Sequence, residues 1–317
     1  MIVIFGKQRD YSTILLIQWL NNLKKQFFRI NSISNFEELN VNTNTCSILS
    51  DNKARILCNE ICSVYFHGGD FSLNLYEIED IDLRNQLKEY IKDEVGILFQ
   101  DIFDQIKTTK KIGNDPFLQK TLNKLSTLKL AKKNGLYIPK SKIVTTREQI
   151  IKTKNEWGGR VVNKSIGDGV SIHTSNLIIN GQRTIELFDK DILNLNDVFL
   201  PSLIQELIIK KYEIRAFYFR QRFYSIAIFS QNLHNTKIDY RGFPTNYLRI
   251  VPYCLPNDIE NKLMKLMKDL NLNSGSIDLI YTKNNQYYFL EVNPHGQFGF
   301  LSYLGNYHIE KEMAEYL

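Results

Sequence analysis

The sequence predicts an α/β fold. Three observations carry this: an apolar run, MIVIFG, followed at once by helical apolar spacing; a long amphipathic stretch, LRNQLKEYIKDEVGILFQDIFDQI; and two apolar runs near the C-terminus, SIDLIYT and QYYFLEV, separated by Asn284 and Asn285.

MIVIFG reads as a strand, and YSTILLIQWLNNLKK follows with Ile14, Ile17, Leu20 and Leu23 on one helical face, capped by Ser12 or Thr13. FFRIN and SVYFHGG read as further strands before the amphipathic helix. The first strand–helix loop lacks GxGxxG, which argues against a dinucleotide site. Residues 1–112 therefore form a first α/β domain. KKIGNDP, with Gly113 and Pro116, opens a second region, 113–200. There FLQKTLNKLSTLKLAKKNG is a helix ended by Gly135. YIPKSKIVTT, a short helix, and the strands RVVNKS and VSIHTS follow, the last two joined by Ile166, Gly167, Asp168 and Gly169. The third region, 201–317, is strand-rich through LIQELI, EIRAFYFRQRFYSIAIFSQ and the terminal strand pair, and ends in the helix HIEKEMAEYL. The aromatic alternation in FYFRQRFYSIAIF reads as strand packing rather than a base-stacking platform.

With 317 residues, 43% of them hydrophobic and 23% charged, the chain can bury a substantial core and divide into two or three domains. Its net charge of +6 is spread along the chain, unlike the clustered basic face of a nucleic-acid binder. The opening lacks a signal-peptide h-region, and no run approaches the roughly 18 apolar residues of a membrane span, so a cytoplasmic address is expected. Cys46, Cys58, Cys62 and Cys254 lack paired CxxC spacing and are expected to be reduced structural thiols.

The terminal strand pair carries the chemistry. Asn284 and Asn285 suit a two-residue hairpin turn in which Lys283 faces Gln286, and counting back along both strands sets Asp278 opposite Glu291. Opposed carboxylates destabilise a ladder unless something compensates them. A hard divalent cation with oxygen ligands is the natural compensation, and Asn293 shares the face of Glu291. The alternative is an exposed hairpin whose acids face water. VVNKSIGDGVS sets Lys164 before a glycine loop whose N–H groups can approach phosphate oxygens, although Gly-Asp-Gly is more commonly an ordinary hairpin turn.

Taken in order, NKLSTLKLAKKNGLYIP, VVNKSIGDG, LIQELIIKKYEIRAF and GSIDLIYTKNNQYYFLEVNP resemble the ATP-grasp ligases over roughly residues 113–317, with 1–112 resembling the preceding pre-ATP-grasp domain. Within that superfamily the chain is similar to the microviridin-type and particularly the grasp-with-spasm peptide maturases, the graspetide macrocyclases. MIVIFGKQRDYSTILLIQWL, SQNLHNTKIDYRGF, YLRIVPYCLP and EVNPHGQFGF carry the closer likeness. His67 and Gly68 stand where the grasp-with-spasm pattern has a basic pair, which weakens any substrate role for the first domain.

The resemblance implies an ATP-grasp α+β fold in which two subdomains clasp ATP, with two magnesium ions. By this likeness Lys124 and Lys164 contact the phosphates, aided by Gly167 and Gly169; Gln205, Glu206, Leu207 and Ile208 form the hinge at the adenine edge; and Glu213 binds ribose. Asp278, Glu291 and Asn293 match the metal ligands. Arg215, on the face of Glu213, points toward the phosphates, and Arg241 and Arg249 orient the acidic side chain or stabilise the oxyanion.

The activity implied is formation of side-chain esters or amides within a ribosomally made precursor peptide. A leader peptide would dock around residues 171–200, and the protein would form a homodimer. Two competing readings are an ATP-grasp ligase that adds a free amino acid to a peptide or protein, and a nucleotide-gated peptide-binding protein without catalysis. The apparently complete metal set counts against the latter.

Overall fold

The computed structural model of this chain describes residues 1–31, 36–42, 45–50, 55–68, 78–108, 110–114, 122–167, 171–173, 178–180, 184–231, 238 and 248–317. Strand β1 (Ile2–Gly6) is buried throughout and feeds helix α1 (Tyr11–Asn22). Asp10, rather than Ser12 or Thr13, caps that helix, its carboxylate accepting the Thr13 N–H at 2.8 Å. β2 (Phe27–Ile30) returns parallel to β1. A separate antiparallel sheet follows, made of β3 (Phe36–Val41), β4 (Cys46–Ser50) and β5 (Arg55–Leu57). β6 (Ser63–His67) pairs with the other side of β1, and α2 (Ile81–Gln105) leads to β7 (Lys110–Ile112), giving the parallel order β2-β1-β6-β7.

Cys46 and Cys58 are joined as a disulfide, which corrects the expectation of thiols at both positions; Cys62 and Cys254 are free. The β4–β5 ladder sets Ser47 opposite Leu57 and so brings residues 46 and 58 together, a neighbourhood invisible in their linear spacing.

The middle of the chain begins with α3 (Lys124–Lys133), β8 (Ser141–Thr146), α4 (Arg147–Glu156) and β9 (Val161–Lys164). Asn123 caps α3, and Thr146 with Gln149 forms a capping box on α4. β10 (Ser171–His173) and β11 (Ile178–Asn180) pair with each other; β12 (Ile185–Glu186), α5 (Asp189–Leu193) and β13 (Val198–Glu206) follow. The sheet order is β12-β9-β13-β8, so among the described residues β9 pairs with β12 and β13. Asp168 and Gly169, on which the hairpin-turn reading of Gly-Asp-Gly falls, lie outside the described residues.

β14 (Lys210–Phe219), β15 (Arg222–Phe229), β16 (Arg249–Tyr253), α6 (Asn257–Asp269), β17 (Ser274–Thr282) and β18 (Tyr287–Asn293) build a five-stranded antiparallel sheet ordered β16-β15-β14-β17-β18. Helices α7 (Gly299–Gly305) and α8 (Ile309–Tyr316) end the chain. Leu128 of α3 shares a core with Leu263, Leu266, Leu279 and Phe289, so this helix packs on the C-terminal sheet although its sequence falls in the middle region. A second core joins Ile4 of β1, Leu16 of α1 and Tyr65 of β6 to Ile226, Phe298 and Met313. β13 runs through positions 200 and 201, and residues 207–209 carry the chain from one sheet to the other. Among the described residues no helix is long and apolar enough to cross a membrane.

Candidate functional site

The two later sheets both contribute walls to one cleft. Lys164 ends β9 on one wall; Glu213, Asp278 and Glu291 stand on the other; Gln205, Glu206, Leu207 and Ile208 line the connection between them. The β13 ladder ends at Glu206, and the Leu207 N–H bonds the Arg160 carbonyl at 3.2 Å. Ile208 and Ile209 lie outside both sheets, so no ladder consumes their backbone groups.

Asp278 does pair with Glu291, but by a different path from the one expected. The turn is not a two-residue hairpin: the Thr282 N–H bonds the Gln286 carbonyl at 3.0 Å, so Lys283, Asn284 and Asn285 form a three-residue loop. Asn285 alone takes the left-handed conformation, at φ 59°, as such loops require. That loop shifts the register by one residue. A bulge between Leu279–Phe289 and Asp278–Glu291 then shifts it back, with Leu290 as the extra residue. Leu290 and Glu291 consequently both line the cleft, while Phe289 is buried in the opposite core. Bulges recur beside active sites because they re-aim a side chain in this way.

Asn293 pairs with Ser276 two positions along, on the face of Glu291. Its Oδ1 accepts the His295 N–H at 3.0 Å and keeps a second lone pair for a cation. Two carboxylates and an amide oxygen suit a hard cation such as magnesium. Among the described residues no cluster of three His, Cys, Asp or Glu side chains competes for that role.

Arg215 sits opposite Asp278 on β14, and one guanidinium nitrogen contacts both carboxylate oxygens at 2.9 and 3.0 Å. Glu213 accepts from the Ser230 hydroxyl at 3.1 Å and pairs with the buried Lys210. Lys124, at the start of α3, reaches the glycine loop instead of the open cleft, donating to the Ser165 hydroxyl at 3.1 Å and the Gly167 carbonyl at 2.9 Å. A side chain at Gly167 would meet open space, so nothing steric demands glycine there in this conformation. Gly169 and Arg241 lie outside the described residues. Arg249 is not brought to the cleft: it lies on the edge strand β16, its guanidinium 5.0 Å from the Phe229 ring centroid.

Sequence reasoning missed Lys210, Thr184, Gln231 and the Arg160–Glu186 pair, whose fork-like contacts measure 2.7 and 2.8 Å. Lys210 shares the side of Glu213 despite odd spacing because a second irregularity, between Lys210 and Tyr212, interrupts the β14–β17 ladder. The others depend on which loops face one another, which carries no local signal.

A polar cluster adjoins the Asn293 end of the hairpin. Burial alone would raise the Asp10 carboxyl; the hydrogen bond and charge of His67, with bonds from Thr13 and Gln297, outweigh it and hold the carboxyl well below the usual range. Burial, then the charges of His67 and Lys7, push His295 from its ordinary 6.5 down to about 3. The unfolded state therefore binds more protons between those values, and stability falls as pH drops through that window. His295 alone should cost about 1.4 kcal/mol one unit below its ordinary pKa. Melting temperatures at pH 7.5 and 5.5 check this: His295→Asn should shrink the drop seen in the parent chain.

No protein-family model matches the chain, and no curated protein sequence matches it. Solved structures do, and the likeness is one of fold. One is the macrocyclase MdnC bound with precursor peptide MdnA from Microcystis aeruginosa MRC, with 23% identity, TM-score 0.80, and coverage of 99% of this chain and 98% of that one. Another is the Chryseobacterium gregarium RiPP-associated ATP-grasp ligase in complex with ADP and a leader and core peptide, with 21% identity, TM-score 0.84, and coverage of 99% and 95%. The ATP-grasp ligase PsnB, complexed with a phosphomimetic minimal precursor, Mg and ADP, aligns at 17% identity and TM-score 0.74, covering 99% and 96%.

Proposed function

We propose that this protein is an ATP-dependent peptide maturase, activating an Asp or Glu side chain of a ribosomally made precursor and joining it to a Ser or Thr hydroxyl or a Lys amine of the same peptide. The carrying observation is the facing pair Asp278 and Glu291 in one cleft with Lys164, Glu213 and the Gln205–Ile208 connection. The likeness in fold to macrocyclases held with their precursor peptides supports this choice within the ATP-grasp ligases.

In this reading the 205–208 backbone meets the adenine edge, Glu213 holds ribose, and Lys164 meets the phosphates. Lys124 acts through the loop it tethers. Asp278, Glu291 and Asn293 would hold magnesium, which when bound supplies positive charge against the triphosphate. The substrate carboxylate attacks the γ-phosphorus and ADP leaves; the peptide's own hydroxyl or amine then attacks the acyl carbon and expels phosphate. Arg215, bonded to Asp278, would steady negative charge in both steps. No protein nucleophile is needed, because holding both groups of one peptide together supplies effective concentration. Exposed Phe188, Leu193, Val198 and Leu200 offer an apolar surface for the leader peptide, and use of ATP fits a cytoplasmic address.

The test is mass spectrometry of a cognate precursor, sought among short Thr- and Glu-rich reading frames beside the gene. Each ring should remove about 18 Da, one water, per ATP converted to ADP. A gain of an amino-acid residue's mass would indicate intermolecular ligation, and ATP hydrolysis with an intact precursor would refute crosslinking.

A further inference from the structure

Gln297 bridges the start of α1 to the end of the strand that carries Asn293. Its Oε1 accepts the Ser12 hydroxyl at 2.7 Å, and its Nε2 donates to Asp10 Oδ1. The partners are buried, Asp10 7% exposed and Ser12 0%, whereas Gln297 itself reaches the surface. The direction of every bond is determined. Ser12 Oγ spends both lone pairs on the Phe298 and Gly299 N–H groups, each at 3.1 Å, so its proton must go to Gln297 Oε1. That orients the amide with Nε2 toward Asp10. The other Asp10 oxygen accepts from the Thr13 N–H at 2.8 Å and from His67 Nδ1 at 3.1 Å.

Between Asn293 and Gln297 the chain has little freedom. The Gly296 N–H closes a turn on the Asn293 carbonyl at 3.0 Å, and any side chain at Gly296 would collide with Ser276. The Ser276 hydroxyl, on the strand opposite Asn293, donates to the Gln297 carbonyl at 3.4 Å. The end of β18 is thus held on one side by its own sheet and on the other by the start of α1.

We propose that Gln297 is a positioning residue whose bonds to Asp10 and Ser12 set the Asn293 oxygen beside Asp278 and Glu291 for the cation. This rests on the metal site in the proposed function. The device is directional, so it can be reversed: in Asp10→Asn with Gln297→Glu, the new amide can donate where the carboxylate accepted. The amide oxygen at position 10 keeps the bonds from Thr13 and His67, and Ser12 still donates to residue 297.

The experiment is Mn²⁺ binding to the full chain with a non-hydrolysable ATP analogue, read by electron paramagnetic resonance, with melting temperatures recorded in parallel. Gln297→Glu and Asp10→Asn should each weaken Mn²⁺ by about 10- to 100-fold, the usual range for residues behind metal ligands, and the double variant should return to near the parent value. Parent-like Mn²⁺ affinity in Gln297→Glu, whatever its melting temperature, would overturn the proposal, as would a double variant as weak as the poorer single. Asp278→Asn is measured alongside. Unchanged affinity there overturns the metal site and this proposal with it; loss there with none in Gln297→Glu overturns the proposal alone.

Discussion

Replacing Asp278 with Asn and Glu291 with Gln together is expected to lower ATP turnover by at least about 100-fold while leaving precursor binding intact, the scale seen when one preorganised charge-stabilising group is removed from a reacting centre. The amide replacements matter. Arg215 has a side chain only 9% exposed and bonds both oxygens of Asp278, so an alanine at 278 would take both acceptors from a buried guanidinium. Breaking a buried pair in that way costs about 3–5 kcal/mol, and lost turnover would then be hard to separate from unfolding. With the amides, shape and one acceptor oxygen at each position survive while the negative charge goes. Turnover by phosphate release, together with precursor affinity by calorimetry, checks the outcome. Unchanged turnover would remove the metal assignment, and loss of precursor binding would show that these acids hold the peptide as well.

The second large effect falls on stability. Lys210 and Glu213 pair within the cleft with side chains 3% and 12% exposed, and Lys210 has the Ile238 carbonyl as a further acceptor at 3.1 Å. Glu213→Ala is expected to destabilise the fold by about 3–5 kcal/mol, because it leaves an ammonium desolvated without its counter-charge. Lys210→Met with Glu213→Leu, which removes both charges, should recover most of that loss. Urea unfolding of the three proteins measures it. A Glu213→Ala protein as stable as its parent would mean that the pair contributes little. Both altered proteins should bind ATP weakly if Glu213 holds ribose.

The α/β character and the main strands were legible because they are written in short-range apolar periodicity: MIVIFG, SVYFHGG and EIRAFYF fall on β1, β6 and β14. The facing of Asp278 and Glu291 was also legible, though by two offsetting differences. The loop is one residue longer than assumed, and Leu290 bulges out to restore the register. Period-two counting detects neither bulge, because a bulge depends on which side chains the partner strand will bury: Phe289 goes to the core and Glu291 to the cleft. The same limit hid Lys210. Arg249 shows the opposite failure, since its chemistry suits the site but the strand order leaves it on the far edge of the sheet. The Cys46–Cys58 pairing and the Asp10–Gln297 clasp link segments whose proximity only the assembled sheets create.

The facing acids of the last hairpin as a cation site are tested most directly by a crystal structure with ADP and Mn²⁺ in place of magnesium, read from the anomalous signal of the metal. A cation site there requires a peak bonded to oxygens of Asp278 and Glu291, with Asn293 in its shell and the nucleotide base against residues 205–208. A peak elsewhere, or a nucleotide outside this cleft, would contradict it.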